Sequence, residues 1–383
     1  MKPILLMSLY GDIEYDGRVQ RSIDALKVNH RIYLFTYCHN PEYYISDVTI
    51  LRHNQNLLSR SNVLRFFSYL HGFLKINKYL KPRVVYLHDY YFSFLGLLFK
   101  VMGCFISIYD AHEIIIPMKA QKVGVRQRFF QFLESSSIKS FDVIVTANEQ
   151  RAKIMAEYYN LRVKPTAINN IPLIREEKLL DLSEISPKYP ELKKVFDSKT
   201  TFVYQGVITR IRQLDRILDL LSQTPNASLL LIGGGEEEYI DELRNHLRKS
   251  AFEHVLFLGK VAPIVLYSLL KHCDLGIISY SMNDYNNKFC APNKIYEYAS
   301  LQLPMVTTNQ QLFKEVFKEY KIGITVSDTQ CGTNKLQTDI SIFVSVSLKA
   351  ADFGKFLDNN NYDKEIKKLS LLVTTKYQSN ASC

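Results

Sequence analysis

The chain has 383 residues, 47% of them apolar, which is longer than one typical domain and enough for two hydrophobic cores. Its formal charge of +10 is uneven: residues 1–180 carry 24 Lys and Arg against 15 Asp and Glu, and the remainder carries 24 against 23. Six cysteines without CxxC spacing argue against a zinc site or a disulfide framework, and the longest apolar stretch, Tyr90 to Cys104 with Lys100 inside it, falls short of the roughly 20 residues that cross a bilayer.

The opening run Met1–Tyr10 is too short, and too soon followed by acids, for a signal peptide, and is expected as a first strand. A polar loop with Gly11 and Gly17 leads into a helical pattern from Arg18 to Val28 and a strand from His30 to Thr36. This is the β-α-β start of a doubly wound sheet, although the loop lacks the glycine spacing of a dinucleotide fingerprint. Residues 57–81 are helical in pattern and mix aromatic with basic side chains. Such a segment can lie at a membrane interface or pack on the sheet with a basic outer face, and both readings stay open. Val84 to Asp89 reads as a strand, Tyr90 to Met102 as an apolar helix, and Phe105 to Glu113 as a second strand. The pair brings His88 and Asp89, then Asp110, His112 and Glu113, to the carboxyl ends of adjacent strands, where open α/β sheets place their chemistry. A polar, basic loop is expected over 114–129, then a helix to about Ser140, a strand at Phe141–Ala147, a helix from Asn148 to Tyr159, and a last strand at Lys164–Pro172. The charged, proline-containing residues 174–199 read as a boundary.

A second series starts at Thr201–Gly206, followed by a loop with Arg210 and Arg212, a helix Leu214–Ser222 and a strand Ala227–Ile232. The run Gly233 to Gly235 precedes three glutamates that would repel a pyrophosphate, so it reads as a tight turn with acids suited to the start of a helix. Strands at Val255–Gly259 and Asp274–Ser279 flank a helix from Pro263 to Cys273. Pro292 suits the first position of a helix, which puts Asn293 and Glu297 on one face with Lys294 beside them. Free amides there attract an anion and a carboxylate one turn further accepts two hydroxyls, a combination that fits a nucleoside diphosphate; an ordinary capped amphipathic helix is the alternative. Leu303-Pro304 stops that helix before a short strand, Met305–Thr308. Helices are expected at Ile340–Leu357 and Lys364–Tyr377. The resulting division is 1–175, a linker 176–199, 200–330, and a helical tail 331–383.

The sequence Ala291-Pro292-Asn293-Lys294-Ile295-Tyr296-Glu297-Tyr298, followed by Leu303-Pro304-Met305-Val306, resembles the donor-binding segment of the retaining GT-B glycosyltransferases of family 4, especially those of bacterial polysaccharide assembly. The resemblance extends more thinly over most of the chain. It implies two doubly wound Rossmann-like domains facing across a cleft, the first for the acceptor and the second for a nucleotide-sugar donor, with a final helix returning to the first. It assigns Gly206, Arg210, Arg212, Asn293, Lys294 and Glu297 to the donor, with Glu297 on the ribose, and places Gly11 near the donor phosphates. Tyr109 to Glu113 matches a segment whose histidine approaches the donor sugar, so His112 and Glu297 become the catalytic candidates. His88, Asp89, Asp110 and Glu113 become acceptor or cleft candidates. Two departures stand out: Val207 replaces a family cation, and Phe289 stands where the earlier of two family glutamates would be.

The expected function is transfer of a sugar, with retention, to a saccharide or lipid-linked saccharide acceptor in cell-surface polysaccharide biosynthesis. No Asp-x-Asp occurs, so no metal is expected, and no cofactor besides the nucleotide-sugar substrate. An anionic membrane surface is a candidate partner of the basic half, in a protein expected to be cytoplasmic and peripheral on the inner face of the membrane. Nucleic acid is not expected, since no recognised module accompanies the charge. The alternatives are a sugar-nucleotide epimerase or hydrolase on the same fold, and a catalytically silent docking subunit, for which Val207 and Phe289 are the sequence evidence.

Overall fold

Apolar strands alternate with amphipathic helices through both halves of the chain, and a computed structural model describes residues 2–53, 61–102, 106–118, 121, 123–174, 176–326 and 352–381. Two units emerge, Met1–Asn170 with Tyr362–Cys383, and Ile171–Asn361.

The first unit runs β1 (Ile4–Asp12), α1 (Gly17–Leu26), β2 (Arg31–Tyr37), β3 (Val48–Arg52), α2 (Asn62–Leu80), β4 (Val84–His88), α3 (Leu95–Met102), β5 (Ile106–Ala111), α4 (Val125–Ser137), β6 (Val143–Thr146), α5 (Glu149–Tyr158) and β7 (Thr166–Ala167). Its seven strands are parallel in the order β3-β2-β1-β4-β5-β6-β7. Every residue of β4 and β5 is buried, as expected of parallel strands covered on both faces. Register sets His88 opposite Asp110. Asp16 caps α1 through the amides of Arg18 and Val19, and Asn148 caps α5 through that of Arg151. The C-terminal helix, Tyr362–Ala381, packs on α1 and β5, with Leu369 and Val373 in this unit's core.

Local structure departs from the sequence expectations at several points. The helix expected from Tyr90 is broken: Asp89 sits at φ 68° and its carboxylate accepts from the Tyr90 amide, so Tyr90–Phe92 forms one tight 3-10 turn and the helix starts again at Leu95. Residues 125–129, expected within a loop, already belong to α4. β3 was not foreseen, and the strand expected over Lys164–Pro172 shrinks to two residues.

The second unit runs α6 (Leu182–Ile185), α7 (Leu192–Phe196), β8 (Thr200–Gln205), α8 (Leu214–Leu221), β9 (Ala227–Ile232), α9 (Glu237–Leu247), β10 (Val255–Gly259), α10 (Pro263–Leu270), β11 (Leu275–Ile278), α11 (Tyr285–Lys288), α12 (Lys294–Ser300), β12 (Met305–Thr308), α13 (Gln311–Glu319) and β13 (Gly323–Val326). Its six parallel strands follow the order β10-β9-β8-β11-β12-β13. The stretch expected as a linker holds α6 and α7, which pack on α10 and on β8 to β10 of this unit. α12 starts just after Pro292, with Asn293 as the capping residue whose carbonyl accepts from the Tyr296 and Glu297 amides. A helix follows at Phe353–Asn359 with Asp352 as its capping residue, and residues 340–351 of the expected helix lie outside the described residues. Among the described residues no helix is long and apolar enough to cross a membrane.

Candidate functional site

In the second unit the site forms where β8 ends. The backbone continues past Gln205 alongside the glycine run: the Gly206 amide donates to Ile232 O at 2.8 Å and the Ile208 amide to Gly234 O at 3.0 Å. A Cβ on Gly233, which has φ +140°, would lie 1.9 Å from Gly206 O, and one on Gly235 would lie 1.9 Å from Ile208 O. The glycine run therefore exists to let two backbone segments touch, and Glu237 and Glu238 occupy the first turn of α9 behind it.

Over Gly206 lies the side chain of Lys294, whose Cε and Nζ would be 3.0 Å from a Cβ at that glycine. The ammonium sits 4.5 Å from the centroid of Tyr204 and 5.8 Å from that of Tyr280. The Arg212 guanidinium also lies over Tyr280, at 4.2 Å, and donates to Asn287 Oδ1 at 3.2 Å. Burial, with the nearby charge of Arg212, pushes Lys294 down to about 7. Two cations brought this close, one of them destabilised, form a ready place for an anion. Glu297 is buried beside them, accepting from Gln205 Nε2 at 2.5 Å and from the Tyr267 hydroxyl at 3.3 Å.

Of the sequence candidates, Gly206, Arg212, Lys294 and Glu297 thus come together, with Asn293 at the start of α12. Arg210 does not join them: its guanidinium pairs with Glu242 on the surface and lies 5.6 Å from the Tyr239 centroid. Val207 is 54% exposed, and Phe289 is in ring contact with Tyr285 at 5.8 Å. Sequence reasoning missed Tyr204, Gln205, Tyr267 and Tyr280; the two aromatics at the ends of β8 and β11 were the available signal.

The first unit gathers a second set at the carboxyl edge of its sheet. Asp110 is buried and receives Arg18 Nη2 at 2.6 Å, Arg18 Nε at 2.9 Å and the Tyr86 hydroxyl at 3.0 Å. Burial alone would raise its pKa, but the Arg18 guanidinium and the His88 hydrogen bond hold it well below the usual carboxylate range. His88 Nδ1 and His112 Nε2 are 3.1 Å apart and share one hydrogen bond, while His112 Nδ1 is 3.7 Å from Asp16 Oδ2. Burial takes His112 down to about 4 against the pull of Asp110 and Asp16, so its imidazole is neutral near pH 7. Arg151 donates to the His112 carbonyl at 2.6 Å and fixes the loop. Asp89 is pushed up to about 8 by burial and by the charge of Glu113, which is itself exposed. Gly11 lies at the end of β1, where its carbonyl accepts from Thr36 Oγ1 at 2.8 Å. Donor atoms of His88, Asp110 and His112 lie within 4.8 Å of one another, close enough for a metal ion, but Arg18 already neutralises the only carboxylate among them. Arg18, Asp16 and Tyr86 were not singled out from the sequence.

Comparison with solved structures shows a likeness along the whole chain. Sucrose-phosphate synthase from Thermosynechococcus elongatus superposes with a TM-score of 0.70 at 14% identity, covering 100% of both chains. WaaG, a glycosyltransferase involved in lipopolysaccharide biosynthesis, gives 0.69 at 13% identity, covering 97% of this chain and 100% of its own. Anabaena HepE in complex with UDP gives 0.66 at 15% identity, covering 100% and 99%. The fold is that of the GT-B glycosyltransferases. Residues 199–338 of this GT-B chain also match the family described as Glycosyl transferases group 1. That segment contains Gly206, Arg212, Lys294 and Glu297, whereas the His88, Asp110 and His112 set lies outside it. A comparison with curated protein sequences gives no match. The domain match and the shared fold together support sugar transfer as the class of activity.

Proposed function

We propose that the chain transfers a hexosyl group, with retention, from a nucleotide sugar to a saccharide or lipid-linked saccharide acceptor during assembly of a cell-surface polysaccharide, using no metal or other cofactor. The observation that carries this reading is Lys294 over Gly206 with Arg212 beside it on the shared Tyr280 ring, next to buried Glu297 and inside the segment that matches the group 1 glycosyltransferases.

A donor diphosphate between these cations has its developing charge neutralised as the anomeric carbon–oxygen bond breaks. The acceptor hydroxyl oxygen bonds to that carbon on the same face, and its proton passes to the departing diphosphate oxygen, so the chain itself is unchanged. Glu297 takes the ribose hydroxyls in place of the long bond from Tyr267. His112, neutral at pH 7, is the proposed hydrogen-bonding partner of the transferred sugar. The HepE structures hold UDP and UDP-glucose, which makes uridine nucleotides the first donors to test. The stated role of WaaG in lipopolysaccharide biosynthesis supports the cell-surface assignment. The basic first unit, with its exposed apolar side chains, supports a peripheral site on the inner face of the cytoplasmic membrane. A second reading, a silent docking subunit, is favoured by Val207 and Phe289 in place of charged family residues.

Calorimetry with UDP, GDP, CMP and ADP, together with release of nucleoside diphosphate from the corresponding UDP- and GDP-sugars, separates the two. Selective binding that Glu297→Ala weakens by about tenfold or more is expected. A folded protein that binds none of the four overturns the donor assignment and leaves the silent subunit.

A further inference from the structure

We propose that an aromatic groove on the first unit holds the hydrocarbon chain of a lipid phosphate, the carrier on which the acceptor saccharide stands. This assignment rests on the transferase reading above for its purpose, though not for its geometry.

The groove has a volume of about 810 Å³, within the range of ligand pockets. It runs between α2, the Tyr90–Phe92 turn and α4, and Tyr10, Phe66, Tyr91 and Phe130 are among its walls. The wall is a rigid cluster: Tyr10 is 5.1 Å from Tyr91 and 6.0 Å from Phe66 between ring centroids, and Phe66 stacks on Phe92 at 5.1 Å. Above it the rim is apolar and wet, with Phe67 59% and Phe129 55% exposed and Val63 beside them. Aromatic surface left in water on three neighbouring elements is costly unless something apolar covers it.

Charge narrows the occupant. Among the described residues, Arg65 and Arg126 line the groove and no Asp or Glu does; the Arg126 guanidinium lies 5.9 Å from the Tyr91 centroid. An apolar trough with cations and no carboxylate fits a long chain ending in phosphate better than a neutral lipid or an apolar peptide helix. Position supplies the remaining argument. Tyr10 lies near the end of β1 and Tyr91 just beyond β4, so the groove starts at the sheet edge that carries His88 and His112. A chain anchored there leaves its head group where an acceptor sugar is needed.

The test uses the full chain and four probes: geranylgeranyl phosphate below its aggregation limit, geranylgeraniol, inorganic phosphate, and phosphatidylglycerol vesicles. Saturable binding of one geranylgeranyl phosphate per chain is expected, with geranylgeraniol weaker and inorganic phosphate unable to compete. Phe129→Ser and Arg126→Gln, both at exposed positions, should each weaken it by about tenfold while leaving UDP binding unchanged. Vesicle binding without saturable uptake of the monomeric lipid would assign this face to a bilayer surface and overturn the proposal. Equal competition by inorganic phosphate, or full binding by both variants, would overturn it as well. If lipid binding fails while nucleotide binding stands, this inference falls alone; if nucleotide binding fails while the lipid still binds, the donor reading falls and the groove assignment stands.

Discussion

Lys294 is the residue on which pH dependence should turn. In the free protein its amine is held near 7, so at pH 8 it is mostly neutral, and a bound diphosphate favours the cation. Binding of UDP at pH 8 is therefore expected to take up a proton, read as a buffer-dependent enthalpy in calorimetry, and Lys294→Met should abolish the uptake. Affinity should fall as pH rises above about 7. The sign for stability is opposite. The unfolded chain keeps this proton up to the ordinary lysine range and the folded one releases it from about 7, so folding stability gains across that window as pH rises. Arg18 makes a second residue-scale prediction. Removing it leaves Asp110 buried and unneutralised, and Arg18→Met should cost about 3–5 kcal/mol in denaturant unfolding. Asp110→Asn in the same chain should return part of that loss; a double variant no more stable than Arg18→Met alone would mean that Arg18 acts chiefly through Ile168 O and Asn170, which it also bonds.

At the scale of elements, the contact between the glycine run and the loop leaving β8 ties donor binding to local fold. Gly233→Ala puts a Cβ where Gly206 O already stands and strains a φ of +140°, so the loop carrying Gly206 must shift. Thermal unfolding should fall by several degrees, and UDP affinity should drop by about tenfold or more. A stable variant with full affinity would show that the loop can retreat without disturbing Lys294. Elements of this kind explain which parts of the site could be read beforehand. The helix start near Arg18 was legible from its apolar stripe, and that at Asn148 because a short polar side chain before such a stripe caps the next turn. The grouping of Asn293, Lys294 and Glu297 was legible as well, because their spacing on α12 is local, although the Asn293 side chain makes no capping bond. The 3-10 turn after Asp89 was not legible, since a positive φ at an aspartate leaves no mark in the sequence. Nor was the role of Arg210: it stood as the substitute for the cation missing at Val207, but Glu242 on α9 captures it, and only the placement of α9 reveals that. The start of α4 was hidden because Val125, Phe129 and Phe132 remain exposed, which blurs the amphipathic signal.

For the molecule as a whole, two parallel sheets followed from alternation alone, because buried strands followed by amphipathic helices have few other solutions. The outer strands were harder to read, β3 being only half-buried and β7 two residues long. What no pattern within either half could show is how the chain closes. Helix Tyr362–Ala381 belongs to the first unit, although the second lies between it and Asn170. Leu369 and Val373 enter the first core, Glu365 accepts from the Asn169 amide at 2.9 Å, and Lys368 donates to Ala167 O at 2.7 Å, so the helix also supports the short strand β7. Ending the chain at Asn361 should thus remove about 3–6 kcal/mol from the first unit, the worth of two buried aliphatic side chains. Hydrogen exchange is the direct measurement. Amides of α1 and the Ile168 amide, bonded to Thr146 O at 2.9 Å, should lose protection, whereas β8 and β9 in the second unit keep theirs. Uniform loss in both units would mean that they unfold together, and unchanged protection in the first would mean that the helix merely rests on a core complete without it.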